Sequence, residues 1–160
     1  MNPDRPFAHG RPTVVFVLRR LVADAPSTQL WLERVRVFES AGWATHAALI
    51  RADPNLDATV EELRASGQLP ESTGVHHFAL RDRRIRPAWW APQPTGEPVE
   101  TRIGDWLDWL TGEVPGCVVI ADESASYSYV AAMSNPLVAR VAALHDSQDE
   151  PVQADAPGQD

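Results

Sequence analysis

The chain of 160 residues has no lysine; all fourteen of its basic residues are arginines, so lysine Schiff-base chemistry is excluded. Cysteine is almost as scarce. Cys117 alone cannot close an internal disulfide, and within the apolar run Cys117-Val118-Val119-Ile120-Ala121 it reads as a buried small hydrophobe rather than a reactive thiol. Positive charge is in deficit, with fourteen basic against twenty-two acidic residues and a formal charge of -8. That is the wrong sign for a protein that lives on phosphate backbones, so no nucleic-acid partner is expected. Long hydrophobic runs are missing too. The early apolar stretch Thr13 to Leu18 falls far short of the roughly 20 residues that span a bilayer, and Met1 to Pro6 has no signal-peptide n-region. A cytoplasmic chain with no transmembrane segment is expected.

Several standard motifs are lacking. There is no G-x-G-x-x-G and no G-x-x-x-x-G-K-[ST], and Arg19 to Thr28 holds no glycine to let backbone amides close on a pyrophosphate, which argues against dinucleotide and P-loop binding. The absence of G-x-S-x-G, of H-E-x-x-H and of a Cys/His ligand set argues against a hydrolase elbow and a zinc site. His76 and His77, adjacent in an expected strand, point to opposite faces and cannot share one metal ion. Asp105 and Asp108 lie three apart on an expected helix and do not form a D-x-D, so no metal is expected.

What is present is a globular composition, 44% hydrophobic and 22% charged, enough for one core in one domain. Residues 1–12, with Pro3, Pro6 and Gly10, read as a loose arm. The β-branched run Thr13 to Leu18 has the continuous apolarity of a strand buried on both faces. Leu30, Trp31, Val35 and Phe38 then recur on one face of a helix whose other face carries Glu33, Arg34, Arg36 and Glu39, with a Ser/Thr cap in front and Gly42 behind. A strand over Ala44 to Ile50, a helix over Leu56 to Ala65 capped by Asn55 or Asp57, and a strand over Val75 to Leu80 follow. Arg81 to Pro98 has no period and reads as a long loop. A helix over Arg102 to Leu110 places Trp106 on its apolar face and Trp109 off it, where Trp109 is a candidate contact for a partner domain. Cys117 to Ala121 (strand), Ala125 to Met133 (helix) and Val138 to Leu144 (strand) complete the domain over 13–148. Residues 149–160 form an acidic tail or the start of a linker. This alternation predicts a Rossmann-like α/β fold, an open parallel sheet with helices on both faces.

In such sheets ligands gather at the carboxyl ends of the strands. Those ends carry Arg19 and Arg20, Arg51 to Asp53, Arg81 to Arg84, Asp122 to Ser124 and His145 to Gln148. Asp122 and His145 reach the same edge, where a carboxylate and an imidazole can orient a sugar or activate a hydroxyl. From spacing alone the same residues fit a structural role better, Asp122 capping a helix and His145 ending a strand. The stretch from Arg81 to Trp90, with Arg84 and Arg86, can bind an anionic acceptor through guanidinium groups and stacked indoles, or serve as a solvated loop that tryptophans anchor.

Ile120-Ala121-Asp122-Glu123, the helix after it and Ala143-Leu144-His145-Asp146-Ser147-Gln148 resemble the strand-D-E/R and strand-H-x-x-H segments of the N-terminal domain of bacterial family 4 glycosyltransferases, in particular the poly(glycerol-phosphate) α-glucosyltransferase group. Leu32 to Gly42 is similar to that group's first helix, with its R-x-x-x-F-x-x-x-G, and Glu61 to Leu69 to its second. The likeness runs in order from about Thr13 to Gln148. It implies a GT-B architecture of two Rossmann-like domains, and transfer of a hexose from a nucleotide-sugar co-substrate to a hydroxyl with retention, without metal or other cofactor. It implies that His145 faces the donor sugar, that Asp122 and Glu123 line the cleft, and that Ala23 to Thr28 touches acceptor or donor phosphate, with Ser27, Thr28, Ser124 and Asp146 as candidates for binding acceptor or donor. The acceptor it implies is a polyol phosphate or other cell-envelope glycan. The chain departs from the family in lacking glycines after the first strand, in carrying Gln148 for the second histidine, and in having no E-x7-E. The donor-binding C-terminal domain is accordingly expected outside these residues, in cis or in trans, and the chain alone is expected to be inactive. A stand-alone α/β binding or interaction module is the rival expectation.

Overall fold

The computed structural model describes residues 11–51, 53–78, 98–112 and 116–143. The first strand, β1 (Thr13–Leu18), is buried at all six positions, and its side chains alternate between two cores. Val14, Phe16 and Leu18 pack with Trp31, Leu32 and Val35 of α1 (Pro26–Ser40) and with Leu56 and Leu63 of α2 (Leu56–Ala65). Val15 and Val17 pack with Ile103, Trp106, Leu107 and Leu110 of α3 (Val99–Thr111) and with Val130 of α4 (Tyr127–Ala131). Period-two alternation in a strand covered on both sides requires apolar residues at every position, which is the pattern of Thr13 to Leu18.

The other strands are β2 (Ala44–Leu49), β3 (Gly74–His77), β4 (Cys117–Ala121) and β5 (Val138–Ala142). All pairings are parallel, in the order β3-β2-β1-β4-β5. The protein is thus an α/β Rossmann-like open sheet with helices on both faces. The chain winds outward from β1 through β2 to β3, then returns to the other side of β1 for β4 and β5, so the switch of direction falls between β1 and β4. No helix among the described residues is long and apolar enough to cross a membrane.

Element ends differ from expectation for local reasons. Helix α1 starts at Pro26 with Ala25 as its N-cap, and Ser27 and Thr28 lie within the first turn. Proline has no N–H to leave unsatisfied there and its φ is preset for a helix. The Thr28 hydroxyl instead accepts the Val22 N–H at 3.3 Å. The expected helix over Ala125 to Met133 is a 3-10 turn over Ser124–Ser126 followed by the short α4. The Ser126 hydroxyl, fully buried, donates to the Val17 carbonyl at 2.8 Å and ties that turn to β1. Leu80 and Leu144, expected as strand ends, and residues 1–10 and 149–160 lie outside the described residues.

Candidate functional site

At the carboxyl edge β1 is followed by Arg19, β2 by Ile50 and Arg51, β3 by Phe78, and β4 by Asp122 and Glu123. The backbone continues the sheet slightly past the strands, with the Ile50 N–H donating to Leu18 O at 2.9 Å and the Arg51 N–H to Arg19 O at 3.1 Å. These links fix where the two arginines leave the sheet. An open cleft of about 430 Å³ lies on the α3/α4 side of this edge, lined by Arg19, Ile50, Arg51, Phe78, Val99, Ile103, Ala125 and Tyr129. Arg19 and Arg51 are exposed, and among the described residues neither guanidinium makes an ion pair. Two unneutralised guanidinium groups beside aromatic and aliphatic walls suit a ligand with an anionic group and a less polar body.

The carboxylates at the β1/β4 switch point are both engaged. Asp122, 2% exposed, pairs with Arg34 of α1, while its own N–H reaches Val17 O at 3.2 Å. Glu123 accepts the Arg19 backbone N–H at 2.5 Å. Its carbonyl accepts the Ser126 N–H at 2.8 Å, so the residue is held at backbone and side chain alike. Asp122 follows the even positions of β4 toward α1, away from the cleft, because Val118 and Ile120 face that core. Arg34, expected on the solvent face of α1, is therefore half-buried. Glu33 and Arg36, its neighbours on the helix, are exposed.

Of the remaining candidates, Ser27 and Ser124 are exposed, and Thr28 is 4% exposed and turned to its own backbone. His145, Asp146, Arg84 and Arg86 lie outside the described residues. Trp109 packs half-buried against the α3/α4 core. Cys117 is fully buried, and burial pushes its thiol up to about 12, which leaves no thiolate for chemistry near neutrality.

A second polar group lies on the α3/α4 face of the sheet, where His46 of β2 meets His76 of β3, Nδ1 to Nε2 at 3.1 Å. Burial, and next the charge of His76, lowers His46 to about 3; burial, and next the charge of His77, lowers His76 to about 4. Both imidazoles are neutral at pH 7. Gly74 makes room for them, since a Cβ there would sit 2.6 Å from His46 Nδ1. His76 and His77 do face opposite sides, and among the described residues no group of three or more His, Cys, Asp or Glu could hold a metal ion.

Arg19 and Arg51 stand at strand ends, where the sequence directs attention first. What it does not supply is their convergence with Phe78 and Tyr129, contributed by elements 27 and 78 residues beyond Arg51. Comparison of the chain with family models, with curated proteins and with solved structures finds no match.

Proposed function

We propose that the chain is the acceptor-side domain of a retaining GT-B glycosyltransferase, and that the carboxyl-edge cleft holds a hydroxyl-bearing, anionic acceptor such as a polyol phosphate. The observation that carries this reading is the pair of exposed guanidinium groups of Arg19 and Arg51, without an ion pair among the described residues, beside Phe78 and Tyr129. Guanidinium forks bind phosphate oxygens, and aromatic faces cover the C–H faces of polyols. The resemblance of Asp122-Glu123 and of His145-Asp146 to family 4 glycosyltransferases supports sugar transfer as the reaction, with His145 directed to the donor sugar. Asp122, buried and paired with Arg34, fits a positioning role at the end of β4 rather than proton exchange. The donor is a nucleotide-sugar gripped by a second domain, in cis or in trans, and a cytoplasmic setting follows from where such donors are made.

The alternative, a binding module without chemistry, draws support from the internal satisfaction of both switch-point carboxylates. Both readings require the cleft to bind. Titration of the chain with a short glycerol-phosphate oligomer, followed by amide chemical shifts, is expected to move residues around Arg19 and Arg51, with uncharged glycerol at least about tenfold weaker. Arg19→Gln with Arg51→Gln is expected to abolish the difference. Equal affinity for charged and uncharged polyol sinks the proposal. Product formation from a nucleotide-sugar only when a donor-binding domain is supplied separates transferase from binding module, and turnover by the chain alone would contradict the two-domain reading.

A further inference from the structure

We infer that Glu123 is a resident anion at the head of the sheet, occupying the Arg19 backbone N–H and thereby setting the specificity of the cleft against polyphosphate groups. In doubly wound sheets the amides that follow the first strand, opposite the switch point, are the ordinary seat of a ligand's pyrophosphate. Here the Arg19 N–H already has an acceptor, Glu123 Oε1, at 2.5 Å. The two residues are 104 positions apart in sequence, so the contact is made by the β1/β4 pairing and not by a local turn.

The backbone that carries this carboxylate is held on both sides of Glu123. On one side the Asp122 N–H bonds to Val17 O at 3.2 Å and the Asp122 carboxylate is paired with Arg34. On the other, Ser126 bonds through its N–H to Glu123 O and through its hydroxyl to Val17 O, each at 2.8 Å. A carboxylate so placed removes a donor that phosphate would use and adds a charge that repels it. The guanidinium groups of Arg19 and Arg51 remain as the cleft's anion-binding groups. The ligand class this selects carries a single anionic group, a phosphodiester or carboxylate, on a neutral body. A pyrophosphate, with several charges packed together, is discriminated against. The inference rests on the carboxyl-edge cleft being the ligand site and is independent of sugar transfer.

The test uses the full chain, isotopically labelled for amide shifts, with inorganic pyrophosphate as the probe. In the wild-type chain the Arg19 amide proton is expected far downfield, as for a short charge-assisted hydrogen bond, and unmoved by pyrophosphate. In Glu123→Ala that proton is expected to move during the titration and pyrophosphate to bind roughly tenfold tighter than to wild type. Glu123→Gln keeps an acceptor oxygen but loses the charge, so a smaller gain is expected. It also preserves side-chain shape and decides the question if the alanine variant fails to fold. An Arg19 amide that shifts with pyrophosphate in the wild type, or folded variants that bind pyrophosphate no tighter than wild type, overturns the inference. A failed polyol-phosphate titration alongside a tightened pyrophosphate response removes the proposed acceptor while leaving the role of Glu123 standing.

Discussion

His46 and His76 show how a single residue pair couples this fold to pH. Each is lowered from 6.5, to about 3 and about 4, chiefly because burial disfavours the imidazolium. The unfolded chain takes up protons near pH 6.5 that the folded chain refuses until the pH is far lower. Stability from this source is therefore complete above about pH 7 and is lost as the pH falls toward 4, by about 2 kcal/mol for each histidine at pH 5. Urea midpoints at pH 7.5 and pH 5 are expected to diverge by less in His76→Gln than in the wild type, and equal divergence in the two chains would count against this account. The sequence placed His76 and His77 on opposite faces correctly, because strand periodicity is local. It offered no sight of His46, thirty residues earlier, whose approach to His76 depends on the β2/β3 register. Asp122 is the same lesson at the site. Its place at the end of β4 was readable, but its partner Arg34 lies 88 residues away on α1, and intervals along a chain carry no information about such a pair.

At the scale of elements, the alternation of strand and helix was legible because the longer elements, such as β1, α1 and α3, repeat their apolar pattern over two or more turns or pleats. Ends were less so, since they are decided by single residues and tertiary bonds, as at Pro26 and Ser126. Nor could the sequence show which helices touch. Helix α3 meets the C-terminal end of α4 closely enough that a Cβ on Gly104 would lie 2.8 Å from Ala132 O and 2.9 Å from Ala132 C. Those are backbone atoms, so relief requires moving one helix against the other. Gly104→Ala gains about 1 kcal/mol of helix propensity, yet the crowding outweighs it. A net loss of about 1–2 kcal/mol is expected, measurable by chemical denaturation, and a stabilised variant would show that the approach is looser than described. Asp108 strengthens the same junction by accepting the Ser134 and Asn135 N–H groups, both at 2.9 Å. Those bonds give this aspartate a structural place on α3.

Over the whole molecule, burial falls steeply from the centre of the sheet to one edge. All six residues of β1 are buried, whereas four of the five in β5 are exposed, Val141 at 44%. Alternating elements predicted the sheet, but they fit several strand orders. The order β3-β2-β1-β4-β5, which decides that β1 and β4 meet at the site and that β5 is an edge, emerges only from pairing. That order also predicts how the molecule opens. Among the described residues β5 is held by its ladder to β4, by the Tyr127 hydroxyl donating to Ala143 O at 2.5 Å, and by Arg140, which donates to Ala131 O and Met133 O. Little apolar surface backs those bonds, so β5 is expected to open with α4 before the sheet as a whole. Native-state hydrogen exchange is expected to give amides bonded between β4 and β5 a lower opening free energy than those between β1 and β2, which open only on global unfolding. Equal opening energies would mean that the edge is backed by more than these contacts. If the gradient holds, Arg19, Arg51 and the Ser124–Ser126 turn stay fixed to β1 and β2 while Tyr129 moves with α4. The cleft then has one rigid wall that carries its charge and one compliant wall that carries an aromatic ring, an arrangement that binds the anionic group first and adapts to the body attached to it.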